Sequence, residues 1–161
     1  MARSDQYSKV ILKNIKHDLI NPINAMIGYS ELLLESLCNE TNILFKQDIQ
    51  SIFDSSNEIF AKLQQLFSDK SNTGDNNLID IVLNERLHYS IRTPLSSVIG
   101  LSELILEDAL MLPDIHVKDF QNNVNKINQA GKGLLRLIND FSKYSDLSKN
   151  EILEKYYTDL Y

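Results

Sequence analysis

Residues 15–24 read IKHDLINPIN and bring an imidazole, a carboxylate, a carboxamide and a proline within a few positions of one another. A neutral imidazole nitrogen is a good phosphoryl acceptor near neutral pH, because an unperturbed histidine has a pKa of about 6.5. Phosphoryl transfer depends on in-line positioning and charge stabilisation more than on covalent chemistry from the acceptor. His17, Asn21, Asn24, Gly28 and Glu31 follow at steps of 4, 3, 4 and 3, so a helix lines them up in one polar stripe. That stripe lies away from the apolar one through Leu19, Ile23 and Met26, and faces solvent. Pro22 stands inside the same helix, where it removes a hydrogen bond and its ring collides with the carbonyl of Asp18. A kink or distortion just after His17 is expected, at a cost of about 3 kcal/mol.

The phrase occurs twice. NPINAMIGYSELLLE (21–35) lies over TPLSSVIGLSELILE (93–107) at an offset of 72 without a gap, so the chain is a tandem duplication of units of about 70–80 residues. At that offset His17 maps onto Tyr89, Asp18 onto Ser90 and Asn21 onto Thr93, while His88 aligns with Lys16. One step along a helix rotates a side chain by about 100°, so His88 points elsewhere than His17 does. Tyr89 is read as a degenerate acceptor position and His88 as a weak candidate. His116 follows Pro113 near a turn and is read as solvated surface.

Each unit reads as two amphipathic helices. The first carries Leu12, Ile15, Leu19, Ile23, Met26, Ser30, Leu33 and Leu37, and after a break at CNETN the apolar pattern resumes from Leu44 to Phe67. The second unit repeats this with Leu83, Leu87, Ile91, Leu95, Val98, Ser102, Ile105 and Ala109, then a last helix over about 115–145. Neither hairpin can bury its stripe alone, so the expected fold is all-α: an antiparallel four-helix bundle of two tandem hairpins. Exchange of hairpins between two chains satisfies the same physics, which leaves a pseudo-dimeric monomer and a homodimer both open. The expected boundaries are 1–68 for the first hairpin, 69–77 for a polar linker, 78–147 for the second hairpin and 148–161 for a tail. In the tail, Ser148 and Glu151 have the spacing of a capping box, and KYYTDLY gives a weak strand hint. Gly131 and Gly133, in AGKGLL, sit inside a helical pattern with no preceding strand, so tight helix packing is expected rather than a phosphate loop. For Gly28 and Gly100 two readings stand side by side, close approach of a partner helix and packing within the bundle.

The bulk numbers narrow the function. A net charge of −6 gives no global basic field, which disfavours nucleic acid. The single cysteine, Cys38, cannot form an internal disulfide, and no Cys/His cluster has metal-ligand spacing. No apolar run approaches a membrane span and MARSDQYSK lacks a signal-peptide core, so a cytoplasmic protein with no membrane association is expected.

HDLINPINAMIGYSELL closely resembles the H-box of the dimerisation and histidine-phosphotransfer (DHp, HisKA-type) domain of two-component sensor kinases. LLRLINDFSKYSDLSKNEI (134–152) is similar to the end of that domain's second helix and the start of the link to an ATPase domain. The resemblance covers nearly the whole chain, twice. It implies that His17 accepts a phosphoryl group, that Asp18 assists as acid or base, and that Asn21 positions groups for transfer or hydrolysis. Asn24, Gly28, Glu31, Tyr89, Thr93 and Ser97 would then line partner contacts. The partners implied are response-regulator receiver domains, with a hybrid sensor kinase as a further possibility. No cofactor of its own is expected, Mg2+ coming from the receiver. No segment resembles the ATPase motifs of such kinases, so ATP-dependent autophosphorylation is not expected. The leading expectation is a histidine phosphotransfer protein. The alternatives are a non-catalytic binding module, a phosphatase or inhibitor acting on a response regulator or sensor kinase, and a purely structural oligomerisation module.

Overall fold

A computed structural model of the protein describes residues 2–37, 43–68, 85–111 and 117–143, together with Glu151 and Glu154. Among these residues there are four long helices: α1 (Ala2–Ser36), α2 (Ile43–Ser68), α3 (Glu85–Ala109) and α4 (Val117–Lys143). The 69–77 linker, Cys38, His116, Pro113 and the strand hint near 155–161 lie outside the described residues, as does Ser148 of the capping box.

The apolar stripes decide the packing. Ile15, Leu19, Ile23, Met26, Leu33 and Leu37 are buried along α1, and at the same offset of 72 Leu87, Ile91, Leu95, Val98, Ile105 and Ala109 are buried along α3. Ile49, Ile52, Ile59 and Leu63 of α2 and Val124, Ile127, Leu134, Ile138 and Phe141 of α4 complete one core. Each such Leu, Ile or Phe taken fully from water contributes about 1.5–3 kcal/mol, which is what keeps two hairpins together. Helix α1 packs on α2 and α4, and α3 packs on the same two, so α1 and α3 are diagonal partners in a four-helix bundle.

The register is antiparallel between neighbours. On the α3–α4 side, His88 lies against Ser142, Arg92 against Asn139 and Ser102 against Asn128. On the α1–α4 side, Met26 faces Gly131, and Asp18 shares a groove with Asp140. The two units are therefore related by a pseudo-two-fold axis along the bundle, and the chain closes on itself as a pseudo-dimer.

Halfway down the core sits a polar level, one residue from each helix: Ser30, Ser56, Ser102 and Asn128, all buried. The hydroxyls satisfy themselves within their own helices, Ser30 on Met26 O, Ser56 on Ile52 O (2.7 Å) and Ser102 on Ile99 O (2.9 Å). Asn128 crosses between helices, its Nδ2 donating to Ser102 Oγ at 2.9 Å.

Both α1 and α3 run on as helices through Pro22 and Pro94, and at Pro94 the distortion takes the form of a rerouted hydrogen bond. Proline has no N–H for the carbonyl four residues back, and that carbonyl, Ser90 O, instead accepts from Lys62 Nζ of α2 at 2.9 Å. Of the two glycines in AGKGLL, tight packing holds for Gly131 alone. A Cβ there would stand 3.0 Å from Ile99 Cγ1, whereas Gly133 has nothing within 4 Å. Gly28 and Gly100 also face open space, so packing within the bundle does not account for them.

Candidate functional site

The polar stripe of α1 is exposed along its whole length, from His17 through Asn21, Asn24 and Gly28 to Glu31. The cause is geometric: Ile15 and Leu19 on either side of His17 are pulled into the core, which turns the imidazole outward. One turn on, Asn21 Nδ2 donates to His17 Nδ1 at 2.9 Å. That bond orients the ring about χ2 and leaves Nε2 outside the pair.

Asp18 is rotated away from this stripe. It is half-buried and lines a groove of about 570 Å3 between α1 and α4, with Pro22, Ala130, Gly133, Arg136, Leu137 and Asp140. The groove exists because Ala130 and Gly133 have little or no side chain where a larger residue would fill it. On the other flank of α1, Asn24 borders a second groove toward α2, and there Lys16 Nζ lies 5.1 Å from the centre of the Phe67 ring. His17 thus stands on a ridge between two furrows, with cations, carboxylates and small residues around it and no helix covering it.

The second unit differs at the corresponding places. Tyr89 is 82% exposed and Thr93 is exposed, so both occupy the outward positions of His17 and Asn21, and Ser97 is half-buried. His88 is 5% exposed and packs between helices, its Nδ1 2.6 Å from Ser142 Oγ. It cannot present a ring nitrogen to a partner, in keeping with the one-residue rotation. On α2, packed against α3, Glu58 and Lys62 stand at the positions that Ala130 and Leu134 hold on α4 at the offset of 72. They pair at 2.6 Å, and Lys62 also straps the Ser90 carbonyl.

Sequence reasoning did not single out Arg136, Lys62 or Phe67. A signal was present for Lys62: aligning α2 with α4 at the offset of 72 sets a charged i, i+4 pair, Glu58 and Lys62, against an apolar pair, Ala130 and Leu134. Among the described residues, no group of three His, Cys, Asp or Glu side chains is arranged to hold a metal ion, and no helix is long and apolar enough to cross a membrane.

Comparison with known proteins adds to this geometry. The model of the His Kinase A (phospho-acceptor) domain matches residues 9–72 and again residues 87–150. Over 129 residues, 78% of this chain, the sequence is 28% identical to hybrid signal transduction histidine kinase A of Dictyostelium discoideum, of which the match covers 6%. No solved structure matches. Two copies of the phospho-acceptor domain, folded as two hairpins of one bundle, make this chain a member of the His Kinase A phospho-acceptor family, with the phosphohistidine signalling of two-component systems as its setting.

Proposed function

We propose that the protein is a histidine phosphotransfer module in which His17 exchanges a phosphoryl group with the aspartate of receiver domains. The observation that carries this reading is the outward, uncovered imidazole of His17, held through Nδ1 by Asn21 at 2.9 Å. A hybrid kinase, the class named for the relative above, is a fitting source of the partner domain.

The chemistry follows from the ring geometry. In the acceptor state the imidazole carries its proton on Nδ1, and the Asn21 amide presents Oδ1 to that proton. The Nε2 lone pair attacks the phosphorus of an aspartyl phosphate in line with the acyl oxygen. The P–N bond forms as the P–O bond breaks, and the leaving electron pair returns to the aspartate carboxylate. The Nδ1 proton stays in place, so no general base is needed at Nε2. Asp18 and Arg136, in the adjoining groove, supply a carboxylate and a guanidinium at the edge of the partner's footprint. The divalent metal that such a transfer uses is the receiver's.

Incubation with a panel of phosphorylated receivers is expected to place acid-labile phosphate on His17. His17→Ala and His17→Gln should abolish it. Labelling that survives both substitutions sinks the assignment.

A second reading keeps the same surface. The exposed Asn21 amide could orient a water for attack on the receiver's phosphate, making the protein a phosphatase. Faster loss of receiver phosphate with no phosphohistidine intermediate selects that reading.

A further inference from the structure

The exposed stripe of α1 begins one turn before His17, with Lys13. Lys13, His17, Asn21, Asn24, Gly28 and Glu31 follow one another at steps of three and four, all of them outward. At the offset of 72 the stripe of α3 reads Glu85, Tyr89, Thr93, Ser96, Gly100 and Glu103. The glycine and the last glutamate are repeated unchanged, and the differences gather at the His17 end. Where the acceptor histidine is kept, a lysine precedes it by one turn. Where tyrosine stands instead, a glutamate does.

The other charged groups at this end are directed elsewhere. Lys16 Nζ lies 5.1 Å from the centre of the Phe67 ring, on the α2 flank. Asp18 and Arg136 line the groove toward α4, and Asp140 at its rim pairs with Lys143 at 3.1 Å. On α2, Glu58 pairs with Lys62, which is tied to α3, and Asp54 accepts from Gln50 at 3.0 Å. Glu85, Arg86 and Arg92 belong to α3, diagonal from α1. Lys13 is exposed and takes part in no ion pair among the described residues. Side chains on a helix lean toward its N-terminus, so Asn21 reaches back to His17 and the imidazole reaches back over the turn that carries Lys13. The bond from Asn21 Nδ2 to His17 Nδ1 at 2.9 Å is the first of these contacts. The two nitrogens of an imidazole point to opposite sides of the ring, so Nε2 is turned away from Asn21. Residues four apart on a helix have Cβ atoms about 5–6 Å from each other, a gap that the four-carbon stem of lysine spans.

We propose that Lys13 is a phosphoryl-binding residue of the His17 site, its ammonium pairing with the oxygens of a phosphoryl group on Nε2. The proposal rests on the acceptor role of His17 given above and adds to it a group that lies outside the H-box. As the Nε2–P bond forms and the bond from phosphorus to the acyl oxygen breaks, the three remaining phosphoryl oxygens keep their negative charge. The ammonium neutralises part of that charge from the α1 side, through N–H donors that neither gain nor lose a proton. The receiver's metal departs with the receiver, whereas Lys13 stays, so the same pairing holds phospho-His17 between partners. In the second unit, glutamate at position 85 sets a like charge one turn from position 89. That face is therefore unsuited to a phosphoryl group at two positions and not only at the missing histidine.

Phosphoramidate, which transfers its phosphoryl group to an imidazole with loss of ammonia, labels histidine without a protein partner. It therefore separates contact with the phosphoryl group from contact with a receiver. In the full chain, the rate of His17 labelling, scored against His17→Ala, is expected to fall about tenfold in Lys13→Gln. It should fall further in Lys13→Glu and recover in Lys13→Arg. The phosphorus-31 resonance of phospho-His17 should also move in Lys13→Gln. Lys13 is exposed, so unchanged melting curves will show that the variants are folded. Equal labelling rates in the original protein and Lys13→Gln overturn the proposal. So does a defect confined to labelling by receivers, which would make Lys13 a contact for the partner, and so does a chain that phosphoramidate leaves unlabelled at His17. Failure of the phosphotransfer reading has a different signature: phosphoramidate labels His17 with the same dependence on Lys13, and no receiver does.

Discussion

At the scale of single residues, the atom that matters is Nδ1 of His17, because whatever occupies it decides the state of Nε2. With Asn21 Nδ2 donating to Nδ1, as observed, the ring proton resides on Nε2 and that nitrogen has no free lone pair. A half-turn of the amide brings Oδ1 to the same place, moves the proton to Nδ1 and frees Nε2. The carboxamide is thus a two-way selector of tautomer, a property that neither a carboxylate nor an aliphatic side chain has. Asn21→Asp can only accept and should hold the proton on Nδ1. Asn21→Ala should return the ring to the tautomer mixture of free imidazole. Nitrogen-15 shifts of the His17 ring at a pH where it is neutral distinguish the three. Identical shifts in the original protein and both variants would remove Asn21 from this role. The transfer rate in Asn21→Ala is expected to fall about tenfold, within the range for loss of a group that positions a reacting atom. His17, Asn21 and the outward direction of their stripe were legible as spacing alone, since steps of three and four fix a helix face. The amide's contact with Nδ1 was not, because it depends on two rotamers that spacing leaves free.

At the scale of the elements, α1 and α3 are copies whose differences lie in what the neighbouring helix brings to them. Pro94 deprives Ser90 O of its helical partner, and α2 answers with Lys62, where α4 carries Leu134 at the corresponding position. Lys62 thus has two tasks, the Glu58 pair and the carbonyl. The first is partly exposed and contributes little. The second satisfies a half-buried acceptor and is worth about 1 kcal/mol. Lys62→Met should therefore destabilise the bundle by about 1 kcal/mol with Pro94 in place, and by close to nothing in a Pro94→Ala background, where the Ala N–H restores the helical bond. Urea unfolding of the four proteins completes the cycle, and equal costs in both backgrounds would show that the strap does no such work. The described members of the stripes on α1 and α3 were readable residue by residue, from Ile15 and Leu87 down to the serines at 30 and 102, because the 3.6-residue period names the buried face. The strap, the open groove beside Asp18 and the burial of His88 against Ser142 were not. Each depends on the register between helices that are far apart in sequence, and that register is set by how the two hairpins mesh.

At the scale of the whole molecule, the two hairpins meet through stripes that are nearly interchangeable, so apolar burial alone sets the register of the helices loosely. The polar level fixes it within the second hairpin. Three of its members, Ser30, Ser56 and Ser102, satisfy themselves locally, whereas Asn128 reaches across to α3 of its own hairpin, donating to Ser102 Oγ at 2.9 Å and to Ile99 O at 3.4 Å. The first unit has Ser56 where the second has Asn128, so the level is asymmetric and the amide has a designated neighbour. Buried polar residues of this kind are known to fix register and association state at a cost in stability. Replacing Asn128 by Leu together with Ser102 by Ala removes both partners at once and leaves no orphaned donor. Exchange of these polar groups for apolar ones of similar size is expected to stabilise the bundle by about 1–2 kcal/mol, raising Tm by roughly 2–8 °C for a domain of this size. It should also loosen the register of α4 against α3, because that register then rests on shape alone. Ser102→Ala by itself should do the reverse to stability, costing about 1 kcal/mol, because it leaves Asn128 Nδ2 the longer bond to Ile99 O at 3.4 Å in place of the 2.9 Å one. Thermal melts and amide hydrogen exchange along α4 on the three proteins separate the two effects. A double variant that is less stable than the original would mean that Asn128 holds the core together rather than setting the register.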